Sequence, residues 1–165
     1  MIRDVIKAIL ITKGSVEITL DGRCMEPFLI SGDKALIRSG QQIHTGDICL
    51  IAPPNNDFAL HRIVNIDNDA AFTKGDFSGK GEIVPLQSIL GVACAFQLKG
   101  MDKWSDYDLP PEFKKHIAAL SMQLCPRPET NRRDREETRT RLSKILHAER
   151  QRLMSEETYH VKADL

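Results

Sequence analysis

Apolar and polar residues follow two different periods at the start of the chain. In "MIRDVIKAIL" the apolar residues recur at steps of three and four, which indicates one face of a short amphipathic helix. In "SVEITL" apolar and polar residues alternate, as they do in a strand with one buried face. The pattern predicts a short N-terminal helix within residues 1–14 and a strand directly after it.

Between residues 15 and 100, short apolar runs alternate with Gly, Pro, Asn and Asp, which end strands and form turns. This punctuation indicates short strands and not long helices. The sequence therefore predicts a mostly β domain over residues 15–100. Its further strands are predicted in "KALIR", "DICLIA", "ALHRIVNID", "AAFTKGD" and "ILGVACAFQL".

The composition changes near residue 101, where "MDKWSDYDLPPEF" contains consecutive prolines that mark a boundary. Two stretches beyond it have helical spacing, "PEFKKHIAALSMQL" and "RDREETRTRLSKILHAERQRLMSEE". The sequence predicts a helical C-terminal extension over residues 101–165. The apolar stripe of its second helix consists of Leu142, Ile145, Leu146, Leu153 and Met154.

The charged face of that second helix has three interpretations. Its arginines stand beside Asp134, Glu136, Glu137 and Glu149, which favours a solvated helix with internal salt bridges over a nucleic-acid-binding arm. Docking of a partner protein, or pairing of two copies into a homodimer, is the third interpretation.

The chain carries 23 basic and 23 acidic residues, so its formal net charge is zero. A neutral protein has no global field that recruits nucleic acid or an anionic membrane, so we expect no nucleic-acid partner and local recognition of any other partner. The apolar run "VIKAILIT" is interrupted by Lys7 and closed by Lys13, which makes it too short for a membrane span. We expect a cytoplasmic protein without a membrane span.

Four cysteines occur, without a CxxC pair and without the spacing of a metal site. Cys49, Cys94 and Cys125 lie among apolar neighbours, as buried and reduced thiols do, and this favours a reducing compartment. We expect no metal and no cofactor. Cys24 differs from the other three, because it lies in a turn between two predicted strands.

Three stretches of the β region carry motifs in a fixed order: "GRCMEPFLISGD" at 22–33, "GDICLIAP" at 46–53 and "LHRIVNIDNDAAFTKGD" at 60–76. In this order they resemble the type I signal peptidases and the related self-cleaving SOS-repressor domains. The "HR" and "KGD" segments resemble the branch of that family whose general base is a histidine. The resemblance covers residues 15–97 and implies a signal-peptidase-like β fold.

Cys24 occupies the position of the family's nucleophilic serine, and Met25, Glu26 and Pro27 follow it as in the family's motif. The resemblance implies that Cys24 is the nucleophile and that His61 is the general base. A thiol ionises more readily than a hydroxyl, so an adjacent imidazole can form a reactive thiolate–imidazolium pair with it. Taken without the motif, Cys24 is better explained as an inert buried cysteine. His61 taken alone is equally well explained as a strand histidine bonded to a backbone carbonyl.

A third residue is expected to hold the imidazole in one tautomer. The resemblance implies an acid a few residues beyond "KGD", where Glu82 is the positional candidate. Asp76 is the alternative, although its position favours a turn residue that bonds neighbouring amides. Lys34 and Lys74 are the other candidates for a base, and His61 is preferred to both.

The resemblance implies that a peptide or protein substrate binds as an extended strand along a sheet edge. Met25 and Phe28 are expected to line the substrate groove or to fill apolar space, and Pro27 fixes the backbone direction after the nucleophile. Gly22 stands where relatives can supply a hydroxyl to the oxyanion, and it indicates instead a turn or a close approach by substrate. The amide of Cys24 is the first oxyanion donor expected.

These expectations give one leading hypothesis and two rivals. The leading hypothesis is a cytoplasmic peptidase that cleaves a peptide or protein precursor in trans. Signal-peptide removal is not expected without a membrane span, and self-cleavage is not expected without a DNA-binding module. The first rival is a binding module on the peptidase fold, in which Cys24 marks the loss of activity. The second rival, the least favoured, is a thiol redox or metal protein that uses Cys24, Cys49 and His61.

Overall fold

An antiparallel β-sheet forms the centre of the molecule, and α-helices pack against it. The structure is a computed structural model that describes residues 2–52, 58–127 and 131–155. Within those ranges no helix is long and apolar enough to cross a membrane. The helices are α1 (Ile2–Lys13), α2 (Pro111–Gln123) and α3 (Arg132–Ser155). The strands are β1 (Ser15–Thr19), β2 (Lys34–Arg38), β3 (Ile48–Ile51), β4 (Ala59–Asp67), β5 (Ala70–Lys74), β6 (Glu82–Pro85), β7 (Ile89–Gln97) and β8 (Ser105–Asp106).

The strands pair in the order β1-β2-β7-β3-β4-β5-β6, with β8 beside β7, and the paired neighbours are antiparallel. The predicted mostly β fold with an N-terminal helix and a helical extension is confirmed, and each predicted strand is present. The pattern does not predict β6 and β8, because β8 has only two residues and β6 ends in Pro85. β1 and β6 stand at the two ends of the sheet.

One large apolar cluster joins the sheet to the helices. It combines Leu50 of β3 and Phe96 of β7 with Leu10 of α1, Ile117 of α2 and Leu146 of α3. A smaller cluster lies on the opposite face of the sheet, because alternate residues of a strand point to opposite faces. Its buried members are Cys49, Ile51, Ile63, Ala71 and Val84. The helical extension therefore shares the main core of the β domain, and burial of that shared surface stabilises both.

Helix α3 turns its apolar stripe towards this core. Leu142, Leu146 and Leu153 are buried. The predicted stripe residue Met154 is 44% exposed, because it directly follows Leu153 and therefore points to a different side of the helix. The same chain therefore covers this stripe, and docking of a partner protein or pairing of two copies through the C-terminal helices stays a prediction. Residues 156–165 of the predicted extension lie outside the described part of the chain.

Candidate active site

Cys24 lies in a turn segment, residues 22–29, between β1 and β2, and this segment is called the nucleophile turn below. Its thiol sulfur lies 3.8 Å from the carbonyl oxygen of Leu60 on β4. The residue as a whole is exposed, whereas the sulfur is partly buried against that strand. The fold thus places the Cys24 thiol beside the residue that precedes His61 in the chain.

His61 lies on β4 and faces Glu82 of β6. Its Nδ1 is 3.7 Å from Oε1 of Glu82, beyond hydrogen-bond distance, and is buried without a hydrogen-bond partner. Burial lowers the pKa of His61, and the negative charge of Glu82 raises that pKa in part. His61 is therefore a neutral imidazole near neutral pH, and the carboxylate predicted by position lies 3.7 Å from it.

The Cys24 thiol is also held in its neutral form. Burial raises its pKa, the charge of Asp76 raises it further, and the amides of Cys24 and Met25 lower it in part. The upward shift at Cys24 and the downward shift at His61 both favour a neutral thiol near a neutral imidazole. Neither shift favours the predicted thiolate–imidazolium pair, because desolvation penalises both charged forms, and that pair stays a prediction.

Asp76 belongs to a buried ion pair. Its two carboxylate oxygens accept hydrogen bonds from Nε and Nη2 of Arg62, at 2.6 and 2.9 Å, and both side chains are fully buried. Nη1 of Arg62 donates to the carbonyl of Gly46 and to the hydroxyl of Tyr107. The structure does not support Asp76 as the residue that orients His61, nor as a turn residue that bonds neighbouring amides, because the guanidinium engages both oxygens.

Lys74 is held beside this ion pair. Its ammonium donates to the hydroxyl of Ser121 at 2.6 Å, to the carbonyl of Ser121 at 2.9 Å and to the carbonyl of Asp76 at 3.1 Å. Burial lowers the pKa of Lys74 to about 8. Lys74 and Ser121 are both 0% exposed, so a substrate does not reach them and Lys74 is not placed as a base for Cys24. Lys34, the other lysine candidate, is exposed on β2.

The sequence reasoning missed Arg62, Tyr107 and Ser121 as members of this buried cluster. One signal was available, because Arg62 and Lys74 interrupt apolar strand runs, and a buried charge requires a partner. The identity of the partners was not available. Ser121 lies 47 residues beyond Lys74, on a helix, and local periodicity says nothing about that contact.

The "KGD" segment touches the nucleophile turn directly. Gly75 packs so closely against Cys24 that a Cβ atom on Gly75 would overlap the carbonyl of Cys24. Glycine therefore permits this backbone approach, which a larger residue would prevent. The "KGD" segment thus contacts the nucleophile turn through Gly75, whereas its Asp76 is held by Arg62.

A groove of about 300 Å³ opens beside Cys24. Two of the predicted substrate-binding residues line it: Gly22, whose φ of +104° only glycine adopts readily, and Met25, whose side chain also belongs to the main core. Other parts of the wall come from α1, β1 and the start of β4. The apolar wall residues from these elements and from the positions next to them include Ile6, Ile18, Leu20, Phe58 and Leu60.

Phe28 and Pro27 do not line this groove. Phe28 is 1% exposed, and its ring centre lies 5.5 Å from that of Phe96 and 5.4 Å from that of Tyr107. Of the two roles expected for Phe28, the structure shows the filling of apolar space, because the turn directs the ring into the main core. Pro27 is half-buried and likewise lies outside the groove lining.

The cysteines do not gather around a common site. Among the described residues, no group of three His, Cys, Asp or Glu side chains is arranged to hold a metal ion. Cys49 is the cross-strand neighbour of His61, but it is fully buried in the smaller apolar cluster, whereas Cys24 borders the groove. Of the thiols predicted to be buried, Cys94 and Cys125 are half-buried, and all four cysteines are free.

A scan of the chain against models of protein families finds no match, and a search of curated proteins finds none either. The likeness to signal peptidases therefore depends on the motifs of the sequence. The structure adds that Cys24 lines the groove with its sulfur beside Leu60, the residue before His61, and that His61 faces Glu82. His61 and Glu82 are not among the residues that line the groove.

Proposed function

We propose that this protein is a peptidase that cleaves a peptide or protein precursor in trans, with Cys24 as nucleophile and His61 as general base. The observation that carries the proposal is the position of the Cys24 thiol at an apolar groove, beside the strand whose histidine faces a carboxylate. A cytoplasmic location is part of the same proposal, as is the absence of nucleic acid from its partners.

The reaction proposed begins with the neutral pair. The Cys24 sulfur attacks the carbonyl carbon of the scissile bond while the thiol proton passes to His61. Because Nδ1 of His61 faces Glu82, Nε2 is the nitrogen that accepts this proton, and the carboxylate stabilises the imidazolium that forms. His61 then gives the proton to the leaving amine. A water molecule, deprotonated by His61, attacks the resulting thioester and breaks its carbon–sulfur bond. His61 then returns the proton to the departing Cys24 sulfur, which restores the neutral pair.

The tetrahedral intermediate needs donors for its negatively charged oxygen. The amides of Cys24 and Met25 both lower the pKa of the Cys24 thiol, because they stabilise negative charge on its sulfur. Backbone amides at the start of a turn are fixed before the reaction begins, so they donate to a developing oxyanion without reorganising. We assign the oxyanion site to this pair of amides, which replaces the hydroxyl that Gly22 lacks.

The substrate is proposed to bind as an extended strand. β1 stands at one end of the sheet, and its residues Ile18 and Thr19 line the groove together with Ala59 and Leu60 at the start of β4. An added strand takes up the main-chain donors and acceptors that an edge strand leaves unpaired. The apolar groove then receives the side chains that point towards the core.

The test is cleavage of a complex peptide mixture, with new termini identified by mass spectrometry. The wild-type protein is expected to produce a consistent set of termini, and Cys24→Ala is expected to produce none while keeping its thermal midpoint. Cys94→Ala is the matched control, because this half-buried thiol contacts the carbonyl of Leu36, away from the groove. Equal cleavage by wild type and Cys24→Ala would contradict the proposal.

A second candidate function is a peptide-binding module that does not cleave. It is favoured by the raised pKa of the Cys24 thiol and by the 3.7 Å separation of His61 from Glu82, which leaves Nδ1 without a hydrogen bond. The same peptide mixture separates the two functions. A binding module retains a subset of peptides intact, and Cys24→Ala retains the same subset.

A further inference from the structure

The chain next to the nucleophile turn is held by one buried carboxylate, that of Asp33. Oδ2 of Asp33 accepts a hydrogen bond from the amide of Ile30 at 2.8 Å, and Oδ1 accepts one from the amide of Lys99 at 2.7 Å. The main-chain carbonyl of Asp33 also accepts a hydrogen bond from the amide of Leu20, which joins the chain before the nucleophile turn to the chain after it. Asp33 is 0% exposed, so its charge requires a cation nearby.

That cation comes from the C-terminal helix α3. Nη1 of Arg150 donates to Oδ2 of Asp33 at 2.6 Å, and Nη2 lies 3.3 Å from Oδ1. The same Nη1 donates to the carbonyl oxygen of Phe28 at 2.8 Å, which is a main-chain atom of the nucleophile turn. Arg150 therefore bonds both the base of the turn and its backbone four residues beyond Cys24.

Helix α3 is itself fixed at this position. Leu146 and Leu153, on either side of Arg150 in the helix, are buried in the main core. The hydroxyl of Ser105 on β8 donates to the carbonyl of Leu153 at 2.9 Å. The guanidinium thus projects from a docked helix, and the position of the nucleophile turn depends on that docking.

We propose that Arg150 is a positioning residue for Cys24, and that helix α3 thereby sets the reactivity of the nucleophile. This inference rests on the proposed function, because it concerns the same thiol. Arg150 acts through the carbonyl of Phe28 and the carboxylate of Asp33, and it does not touch the substrate. The C-terminal extension then positions the nucleophile, in addition to packing against the sheet.

The test uses the full chain and a short N-acetylated peptide p-nitrophenyl ester, whose reaction with Cys24 releases coloured p-nitrophenol. Arg150→Ala is expected to slow acylation of Cys24 by about ten- to a hundredfold, since small displacements of a reacting group have effects of that size. Arg150→Lys is expected to recover part of the rate, because lysine keeps the charge but not the forked geometry. Each rate is measured well below the thermal midpoint of the variant.

Two controls separate positioning from a general loss of stability. Arg133→Ala removes an exposed arginine of the same helix that pairs with Glu137, and it is expected to leave the acylation rate unchanged. Ser105→Ala removes one hydrogen bond near the end of α3, while the buried leucines keep the helix docked and the contacts of Arg150 in place. It is therefore expected to lower the thermal midpoint and retain the rate. A rate in Ser105→Ala as low as that in Arg150→Ala would overturn the positioning role.

A second readout keeps the inference testable if the wild type does not acylate, which would count against the proposed function alone. The rate of Cys24 alkylation by iodoacetamide, divided by that of Cys94, reports the position of the turn without any catalysis. This ratio is expected to change severalfold in Arg150→Ala, to change less in Arg150→Lys and to stay constant in Arg133→Ala. An unchanged ratio in folded Arg150→Ala and Arg150→Lys would overturn the inference. Should Arg150→Ala not fold, Arg150→Lys decides the outcome.

Discussion

Arg62 and His61 are neighbours on β4, and they differ in how completely their buried polar atoms are hydrogen-bonded. Arg62 is fully buried, and it donates hydrogen bonds of 2.6 to 3.2 Å to Asp76, Gly46 and Tyr107. His61, on the other face of the strand, has Nδ1 buried without a partner, 3.7 Å from Glu82. One strand therefore carries a side chain that is fully engaged and a side chain that is still free to take a partner.

This difference distinguishes the residues that hold the site in place from the residue proposed to react. A buried charge whose nitrogens are all hydrogen-bonded fixes the elements around it, and here it joins β4 to the segment after β5 and to the segment before α2. A polar group with bonds still to make costs stability, and such groups concentrate where a protein binds or reacts. We infer that the Arg62 cluster holds the sheet, while Nδ1 of His61 is left to pair with Glu82 when the imidazolium forms in the proposed reaction.

The largest effect predicted is on stability, and it falls on the Arg62 side. Asp76→Asn is expected to lower the free energy of unfolding by about 3–5 kcal/mol, because it leaves a buried guanidinium without its counter-charge. Glu82→Gln removes a partly exposed carboxylate and is expected to cost less than about 1 kcal/mol. Urea denaturation of both variants measures the difference. Equal losses would show that the two acids do not play different parts.

The next effect concerns the contact between the "KGD" segment and the nucleophile. A methyl group on Gly75 overlaps the Cys24 carbonyl, which is main chain and yields little, so Gly75→Ala is expected to displace the turn and slow acylation about a hundredfold. Gly79→Ala is the matched control, since its nearest neighbour would be an ordinary contact at 3.8 Å. Similar rates for both variants would show that the turn does not depend on this approach.

The smallest effect is on the pH dependence of acylation. Neutral His61 is the base, so the rate is expected to fall as pH falls through the pKa of His61, which burial places below its ordinary value of 6.5. The charge of Glu82 raises that pKa, so Glu82→Gln is expected to move the acid limb to still lower pH and to slow the plateau about tenfold. The measurement is the rate of p-nitrophenol release between about pH 4 and pH 8. An acid limb that moves to higher pH in Glu82→Gln would contradict this placement of the carboxylate.

Much of the fold could be predicted because its elements have strong local patterns. The run "ALHRIVNID" coincides with β4, and the helical spacing of "PEFKKHIAALSMQL" matches α2 to within one residue. The order of the strands could not be predicted. β7 lies between β2 and β3 in the sheet, and this pairing of distant segments follows from packing that no local pattern records.

The candidate site was predictable only as a set of residues. The motifs singled out Cys24, His61 and two acids, but both acids lie in one short segment and their side chains have the same chemistry. Folding separates them, because Asp76 turns towards the buried Arg62 while Glu82 begins β6 beside His61. The pKa directions were likewise inaccessible, since desolvation depends on the groups that the fold brings around a side chain.

The most direct test of the central claim is the pH profile of Cys24 acylation by the peptide p-nitrophenyl ester, in wild type and in His61→Gln. A neutral Cys24–His61 pair predicts that one acyl group per protein is attached to Cys24. It also predicts an acylation rate that is constant around neutral pH and changes only below pH 6.5, where His61 becomes protonated, and above pH 9.0, where the Cys24 thiol ionises. His61→Gln is expected to be slower by about 10²–10⁴-fold. A wild-type rate that rises steadily with pH, as for an ordinary thiolate, and that equals the rate of His61→Gln would contradict the account.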